Sequence, residues 1–457
     1  MTTSPWLAAR LDRLHAHPAL RPVLEAFPGG DHPDVARPSD LGPRIAEVLS
    51  HEIDAQQAAM FARRFAVAQG LLSGLQGDAA ELLLDGLCFR MAEVLDGPRP
   101  RTLRVRALVD FYVSQVPRLQ HAPGPPVEHY AATARYDSVS ADLRIARLEG
   151  PCEAGPLRAH VLRGWPRIRC LDARPRTDLV ALAAEEGAVA AVSGGFFLYS
   201  EHDIALPSRR TDPVGLLVTD GVVRGPPWFP RGALVQTATG LDVRVVHPQE
   251  ATLGGESLVP TTRAHGLVGP DSPSTAIVGR QVVAHGRRLA VPLAGGVVAG
   301  HHEHADIQLV GVEQAMGGGP MLVDDRGPAL DLAAEGFAGT APPVTFSQDE
   351  TFDHNLLPRL AAGITADGEL VLVAVDGRHL ERAPGLTLRQ TARLMAALGC
   401  VRAVNLDGGS SKRMVVAGRI VDQPTTEVVI TGDPTGPVRP VHSAILLYPR
   451  GPTSPVG

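Results

Sequence analysis

Apolar residues recur at helical spacing over roughly the first quarter of the chain. From about residue 43 to residue 116 they fall on stripes with the three-to-four-residue repeat of an amphipathic helix. The two clearest stripes contain Met60, Phe61, Phe65, Ala68, Leu72 and Leu75, and then Leu83, Leu84, Leu87, Met91 and Leu95. Glycine and proline between the stripes mark turns or helix ends. The pattern predicts a bundle of three to five helices.

Beyond residue 127 the pattern changes to short β-branched runs separated by Gly, Asp and Pro, which is typical of strands. The runs are 215–219, 242–246, 275–278, 370–375 and 443–447. Helical spacing returns only locally, at 179–186 and 387–398.

The segment between these two parts, residues 121–127, contains two adjacent prolines and a glycine, which suit neither a helix interior nor a central strand. We therefore predict a helical N-terminal region of unknown role over residues 1–125. Residues 126–450 are predicted to form an α+β (mixed α/β) domain whose sheet has mixed strand pairing.

Composition is that of a folded protein, with 44% hydrophobic and 20% charged residues in 457. The formal net charge of -6 gives no electrostatic footprint for nucleic acid, so we expect no such partner. No run of about 20 apolar residues indicates a membrane span or a signal sequence, and a cytoplasmic location is expected. The four cysteines are widely spaced, which favours isolated thiols over a zinc site or a disulfide framework.

The segment Asn405-Leu406-Asp407-Gly408-Gly409-Ser410-Ser411 places polar groups and two glycines between two apolar runs. Glycines at such a junction let backbone N–H groups approach an anion, and an Asp at a strand end can meet a sugar hydroxyl or act as an acid or base. An ordinary Asp-Gly turn explains the same letters. From these residues alone, both interpretations stay open.

Two further glycine clusters follow apolar runs. Ser193, Gly194 and Gly195 precede two phenylalanines, and Gly318 and Gly319 lie in a run of three glycines before a proline. A tight turn or a close backbone crossing accounts equally well for each cluster. Neither has the spacing of a nucleotide-binding loop or of a dinucleotide fingerprint.

Taken together and in order, these segments resemble the phosphodiester glycosidase family. The matching motifs are Ser193-Gly-Gly-Phe-Phe197, Pro213-Val-Gly-Leu-Leu-Val-Thr-Asp-Gly221, Gly317-Gly-Gly-Pro320, Arg359-Leu-Ala-Ala-Gly363, Asp376-Gly-Arg378, Gly385-Leu-Thr-Leu388 and Asn405-Leu-Asp-Gly-Gly409. The resemblance covers about residues 130–450 and leaves out the N-terminal region. It implies a hydrolase that removes a sugar from a sugar-1-phosphodiester, either a small molecule or a glycan.

That chemistry develops oxocarbenium character on the sugar, while the phosphate departs with little need for protonation. We therefore predict Asp407 as nucleophile or general base, and Asp376 as a second carboxylate or as the residue that orients the sugar. Glu335 is a third carboxylate candidate. An Asp-Gly turn is the alternative for Asp376.

The predicted substrate-binding set combines glycines, polar side chains and two arginines whose guanidinium groups suit phosphate. Its members are Asn405, Gly408, Gly409, Ser410, Arg359, Arg378, Ser193, Gly194, Gly195, Gly318, Gly319 and His442. A surface position is the alternative for Arg359. Arg378 and Lys412 are weaker phosphate-binding candidates, and solvated charges are the alternative for Lys412 and Arg413. His442 is a candidate proton shuttle or an ordinary polar residue.

No cofactor is expected. His301, His302 and His304 invite a metal interpretation, but side chains so close along the chain rarely converge on one ion. A metal there is disfavoured.

Two departures from the family pattern leave the substrate open. Ser193 stands where the family usually has Asn, and Ser410 to Arg413 stand where it often has Gly, Ser, Ser and Thr. A non-catalytic module that binds a glycan or phosphate is therefore one alternative. Phosphorus–oxygen cleavage or glycosyl transfer at the same site is another. The N-terminal helices are candidates for a protein-docking unit, a self-association unit or a lid.

Overall fold

The fold is given by a computed structural model, which describes the chain from residue 38 to residue 450 with several gaps. The described residues are 38–51, 55–74, 78–97, 101–114, 116, 124–173, 178–196, 215–225, 227, 230–253, 256–257, 267–268, 274–278, 281–286, 288–289, 307–335, 337, 355–425 and 438–450.

Helices fill the N-terminal region, as its apolar stripes predict. Their bounds are α1 Pro38–Leu49, α2 Ala55–Ser73, α3 Asp78–Asp96 and α4 Arg101–Ser114. Side chains three and four residues apart share one face of a helix, and these faces meet in a common core. Phe65, Leu87 and Met91 are fully buried there. The predicted helical character of this region is confirmed.

Strands dominate the rest of the chain. The first are β1 Asp137–Ser138, β2 Leu143–Cys152, β3 Gly155–Gly164, β4 Arg167–Asp172 and β5 Ala190–Ser193. The next are β6 Leu217–Thr219, β7 Val222–Gly225, β8 Arg231–Thr237, β9 Gly240–Val246, β10 Ala251–Leu253, β11 Glu256–Ser257, β12 Leu267–Val268, β13 Ser274–Val278, β14 Gln281–Gly286, β15 Arg288–Leu289, β16 Ile307–Leu309, β17 Val312–Gly317, β18 Met321–Asp324 and β19 Gly327–Pro328. The last are β20 Arg359–Thr365, β21 Leu370–Val375, β22 Cys400–Leu406, β23 Met414–Val416, β24 Arg419–Ile420 and β25 Ser443–Tyr448.

Three helices accompany these strands, α5 Val127–Thr133, α6 Leu179–Glu185 and α7 Leu388–Ala397. Each of the later two lies within one residue of its predicted bounds. Thr387 caps α7, because its hydroxyl accepts the Gln390 N–H while the Gln390 side chain accepts the Thr387 N–H. The α+β class is therefore confirmed.

The largest sheet has eight strands in the order β1-β2-β3-β21-β20-β22-β18-β19. One face packs against α5 and α7 through residues such as Val371, Val373 and Leu394. The other face carries Leu360 and Leu372 into a core that it shares with two five-stranded sheets, β7-β6-β17-β8-β9 and β24-β23-β5-β25-β4. Side chains alternate between these two cores along each strand, as the pleat requires.

The predicted mixed pairing is wrong in detail, because every ladder between described strands is antiparallel. The ladders are β1 with β2, β2 with β3, β3 with β21, β21 with β20, β20 with β22, β22 with β18, β18 with β19, and those of the smaller sheets. Parallel pairing needs long crossover connections, usually helical, and most described strands are instead followed by another strand.

The N-terminal helices meet the strand domain at Leu380, in the segment that follows β21. The Leu380 side chain is 3% exposed and lies in the core formed by α1 to α4. Within the predicted linker, the Gly124 N–H donates to the Cys152 carbonyl at the β2–β3 hairpin. The boundary near residue 125 stays a prediction.

The four cysteines are buried and none forms a disulfide bond with another described residue, in line with their wide spacing. In the part of the chain that the structure describes, no helix combines the length and the apolar character that a membrane crossing needs.

Replacing Leu372 by alanine should test the shared core. Its side chain is fully buried at the centre of β21, so the substitution removes packed methyl groups and leaves a cavity. We expect a loss of about 2–5 kcal/mol in the free energy of unfolding, measured by urea denaturation. Val222→Ala on the exposed side of β7 should change it by less than about 0.5 kcal/mol. Equal losses in both variants would contradict this assignment of the core.

Candidate active site

Segments that are far apart in the sequence meet at the end of β22. We call residues 407–411 the Asp407 turn. The Asp407 N–H donates to the Gly194 carbonyl at 3.2 Å, just after β5, and the Gly409 N–H donates to the Pro358 carbonyl at 2.9 Å, just before β20. The turn continues as a 3-10 helix, Gly409–Ser411. Three strand ends are therefore fastened to one another around Asp407.

The glycine cluster at Gly318 and Gly319 crosses β22 at Asn405, two residues before Asp407. The Gly319 N–H donates to the Asn405 carbonyl at 2.8 Å, and the Asn405 side-chain amide donates to the Gly319 carbonyl at 3.1 Å. A Cβ at Gly318 would lie 2.2 Å from the Asn405 carbonyl oxygen, closer than real Cβ contacts allow. Only glycine permits this crossing. Asn405 itself is fully buried.

Most predicted glycine contacts with substrate are not supported by this geometry. The N–H groups of Gly194, Gly195, Gly318, Gly319 and Gly409 each donate to a protein atom and are not presented to an open cradle. A Cβ at Gly408 would lie 2.6 Å from the Pro358 carbonyl oxygen, so glycine is required there by close packing. The glycines position the turn. Whether any of them contacts substrate stays a prediction.

The predicted carboxylates differ in their exposure. Asp407 is 8% exposed, whereas Asp376 is 1% exposed and Glu335 is 4% exposed. Glu335 accepts the Gly232 N–H at 2.7 Å and the Met321 N–H at 2.6 Å, so each of its oxygens bridges to a different strand. Burial raises the Glu335 pKa, although these two N–H groups act against the shift. The arrangement indicates a structural carboxylate, and a catalytic role for Glu335 stays a prediction.

Asp376 takes part in a buried ionic cluster centred on Lys412, the chain's single lysine. The Lys412 ammonium lies 2.7 Å from Asp376 Oδ1, 2.6 Å from Asp422 Oδ2 and 3.3 Å from the Gln423 carbonyl. An ammonium has three N–H donors, and three acceptors surround this one. None of the three charged side chains is exposed.

Two arginines extend this cluster. The Arg158 Nε lies 3.1 Å from Asp376 Oδ2, and the Arg413 Nη1 lies 3.2 Å from Asp422 Oδ2. Lys412 and Arg413 are each 1% exposed, so the alternative of solvated surface charges is wrong for both. The cluster joins the Asp407 turn to the end of β21, because the Lys412 N–H also donates to the Gly408 carbonyl.

Sequence reasoning missed Asp422 and Arg158. Asp422 accepts the Met414 N–H at 2.6 Å and thereby closes the β23–β24 hairpin. The available signal was the single lysine in a chain that uses arginine at every other basic position, since a buried ammonium requires carboxylate partners.

The predicted phosphate-binding arginines are also buried. Arg359 is 1% exposed and donates from Nε to the Leu386 carbonyl and from Nη2 to the Asn355 carbonyl, each at 3.0 Å. This use of the guanidinium favours a structural role. Arg378 is 1% exposed and has a φ of 59°, a left-handed conformation that costs a residue with a side chain about 1–3 kcal/mol. Phosphate binding by either arginine stays a prediction.

The remaining predicted residues surround the turn. The Ser193 hydroxyl accepts the Arg413 N–H at 3.0 Å and is 2% exposed, so it faces β23. The Ser410 hydroxyl accepts from Arg439 Nη1 at 2.6 Å. His442 is half-buried, and the carbonyl of the next residue, Ser443, accepts the Gly194 N–H. Of these, Ser410 lies within the Asp407 turn itself.

His301, His302 and His304 lie outside the described residues. Within the described ranges, no His, Cys, Asp and Glu side chains gather in a group that could hold a metal ion.

His160 lies on β3 beside the ionic cluster. It is 5% exposed, and its Nδ1 has no hydrogen-bond partner among the described residues. Burial lowers the His160 pKa below its ordinary 6.5, while the nearby Asp376 carboxylate acts in the opposite direction. The folded protein therefore keeps this imidazole neutral at pH values where the unfolded chain begins to protonate it.

Comparison with known proteins was made by sequence and by structure. Residues 277–448 match the model of a family described as phosphodiester glycosidase. An uncharacterized protein YomE, derived from the SPbeta prophage of Bacillus subtilis strain 168, is 42% identical over 65 residues, which are 14% of this chain and 10% of that protein. The chain thus matches about a tenth of the length of this curated relative.

Similar solved structures include a putative exported protein from Burkholderia pseudomallei K96243, with 23% identity, a TM-score of 0.42, and coverage of 66% of this chain and 75% of that one. A second is the catalytic domain of zebrafish N-acetylglucosamine-1-phosphodiester alpha-N-acetylglucosaminidase, auto-inhibited by its pro-peptide. It has 14% identity, a TM-score of 0.42, and coverage of 72% of this chain and 95% of that one.

Replacing Lys412 by methionine should strongly destabilise the protein, because two buried carboxylates would face each other without their cation. We expect a loss of about 3–5 kcal/mol, the usual effect of removing one partner from a buried ion pair. The double variant Lys412→Met/Asp422→Asn should recover part of that loss. Thermal unfolding of both variants and of wild type provides the measurement. A single variant as stable as wild type would show that the cluster does not stabilise this end of the fold.

Acid should destabilise the protein partly through His160. Below about pH 6.5 the unfolded chain takes up a proton at this ring before the folded protein does, so the free energy of unfolding decreases as the pH falls towards the folded pKa. His160→Gln should therefore lose less stability than wild type between pH 7.5 and pH 5.5, measured as thermal midpoints. His129→Gln, at an exposed histidine, should keep the wild-type slope. An unchanged slope in His160→Gln would refute the assignment.

Proposed function

We propose that this chain, whose residues 277–448 belong to the phosphodiester glycosidase family, hydrolyses the glycosidic bond of a sugar-1-phosphodiester and releases a free sugar and a phosphomonoester. One observation carries the proposal. The segments that include Ser193–Gly195, Gly317–Pro320, Arg359 and Asn405–Gly409 are widely separated in sequence, and direct backbone contacts bring them together around Asp407. The backbone of a carboxylate residue at such a junction is held in one place, which suits a catalytic residue.

The reaction requires little more than a correctly placed carboxylate. Cleavage at the anomeric carbon builds positive charge on the sugar, and a phosphodiester oxygen leaves without strong protonation. Asp407 can stabilise that charge as a nucleophile, or it can activate water as a general base. It is more exposed than Asp376 and Glu335, and its backbone is fixed by the bond to Gly194.

Asp376 has a different role in this proposal. Its Oδ1 accepts from the Lys412 ammonium and from the Gln423 N–H, and its side chain is fully buried. A carboxylate paired in this way is enclosed by protein partners and is not presented to the sugar. We assign it as a positioning residue that acts on Asp407 through Lys412, in place of a second catalytic carboxylate.

The proposed chemistry involves no cofactor, since the substrate supplies its own leaving group. The substrate is a soluble sugar-phosphodiester or a glycan carrying that linkage, acted on in the cytoplasm. The contact of Leu380 with α1 to α4 supports a role for the N-terminal helices in holding the segment after β21. Docking of a protein partner or self-association through those helices stays a prediction.

Asp407→Asn should lower the release of free sugar from glycosyl-1-phosphodiesters by about 10²- to 10⁴-fold, because the amide provides neither a base nor a nucleophile. The measurement is sugar release from a panel that varies the sugar and the aglycone. Hydrolysis in ¹⁸O-labelled water adds a second readout. The label should enter the sugar if the carbon–oxygen bond breaks and the phosphate if the phosphorus–oxygen bond breaks.

Asp137→Asn is the matched control, since Asp137 is exposed on the edge strand β1 and should leave turnover unchanged. Wild-type protein that binds sugars but turns over no member of the panel would favour the non-catalytic module. The Ser193 hydroxyl is buried, at a position where the family usually has Asn. This observation favours the non-catalytic module.

A further inference from the structure

A cavity of about 190 Å³ lies between the start of α6 and the segment before β25, and two arginines line it. Arg413 follows Lys412 directly. Arg439 precedes β25 and donates from Nη1 to the Ser410 hydroxyl at 2.6 Å, which ties the cavity wall to the turn. The other described lining residues are mostly apolar, and the one carboxylate among them, Asp178, is exposed and accepts the N–H groups of Val180 and Ala181.

Arg413 has unused hydrogen-bonding capacity in a buried position. It is 1% exposed, and its Nη1 meets Asp422 at 3.2 Å. Its Nε and Nη2 have no hydrogen-bond partner among the described residues. Buried polar groups are nearly always paired, so an orphaned charged donor of this kind indicates a missing acceptor such as a bound ion.

The balance of charge points to the sign of that ion. The ion-paired members of the buried cluster are the cations Arg158, Lys412 and Arg413 and the carboxylates Asp376 and Asp422. Cations therefore exceed carboxylates by one among these described groups, before Arg439 is counted. Burial lowers the pKa of the neighbouring His160, which keeps that ring neutral and leaves the balance unchanged near neutral pH. The Arg158 side chain is 24% exposed, so water screens part of this excess, and a surplus of cations favours an anion over a cation as the missing ligand.

We propose that Arg413, Arg439 and the Ser410 hydroxyl form a phosphate-binding subsite behind the Asp407 turn. Guanidinium groups match the oxygens of a phosphate, and the volume accommodates one phosphate group with its ordered water. The identification of the ligand rests on the proposed function: the subsite receives the phosphate of the sugar-phosphodiester or of the phosphomonoester product. It also accounts for Lys412-Arg413 standing where the family often has Ser and Thr, since this chain places added positive charge at that point.

Titration with inorganic phosphate, followed by calorimetry at constant ionic strength, tests the subsite without turnover. Wild type should bind phosphate saturably, and Arg439→Gln should raise the dissociation constant about 10- to 100-fold, the effect of losing a hydrogen bond from a charged donor. Arg439 is half-buried, so this variant should fold. Arg413→Gln should weaken binding at least as much, provided that its thermal midpoint shows a folded protein.

Arg419→Gln is the matched control, because Arg419 is exposed on β24 next to the cavity-lining Ile420 and its loss removes the same charge from the surface. Its affinity for phosphate should equal that of wild type. The subsite is refuted if wild type shows no saturable binding, or if Arg439→Gln binds as tightly as wild type. If wild type releases sugar but Arg439→Gln binds phosphate as tightly as wild type, the subsite alone is refuted. Phosphate binding that depends on Arg439, without sugar release from any substrate, would refute the proposed function alone.

Discussion

Lys412 joins two carboxylates, Asp376 and Asp422, at a point where none of the three side chains meets water. Asp376 ends β21, and Asp422 follows the β23–β24 hairpin. Lys412 itself comes one residue after the Asp407 turn, whose Gly408 carbonyl accepts its N–H. A single ammonium therefore connects the largest sheet, the sheet that contains β23, and the turn between them. If this connection were absent, the Asp407 turn would lose its side-chain link to the end of β21.

At every other Lys or Arg position the chain has arginine, so the lysine at position 412 needs a physical explanation. An ammonium is compact and directs its three donors tetrahedrally, whereas a guanidinium is planar and spreads five donors over a larger area. The acceptors at Asp376, Asp422 and Gln423 surround one nitrogen. The neighbouring Arg413 shows the contrast, since its larger group meets Asp422 with one nitrogen and leaves two others without protein partners. The two adjacent cations therefore have different roles: Lys412 is surrounded by protein acceptors, whereas Arg413 keeps two nitrogens for another partner.

Periodicity predicted the elements well, because the spacing of apolar residues depends on local geometry alone. Helices α2, α3 and α7 and strands β9, β21 and β25 all lie where their patterns place them. Local spacing does not show which strands pair or in which direction. The prediction therefore missed that all ladders between described strands are antiparallel. It also allowed Lys412 and Arg413 to be solvated charges, because adjacent cations along a chain usually are solvated. Their carboxylate partners lie 36 and 9 residues away and are brought near by folding.

The position of Asp407 was easier to predict than the roles of its neighbours, and burial explains the difference. Asp-Gly-Gly after an apolar run marks a strand end whatever the tertiary structure, whereas an arginine or glutamate takes its role from whichever acceptor or donor the fold presents. Arg359 and Glu335 bond to backbone groups that no sequence pattern identifies. Once these charges are used inside the protein, Asp407 stays as the more exposed carboxylate, and Arg413 with Arg439 as the cations that face a cavity. Under the proposed function, the anomeric carbon meets Asp407 and the phosphate meets Arg413 and Arg439.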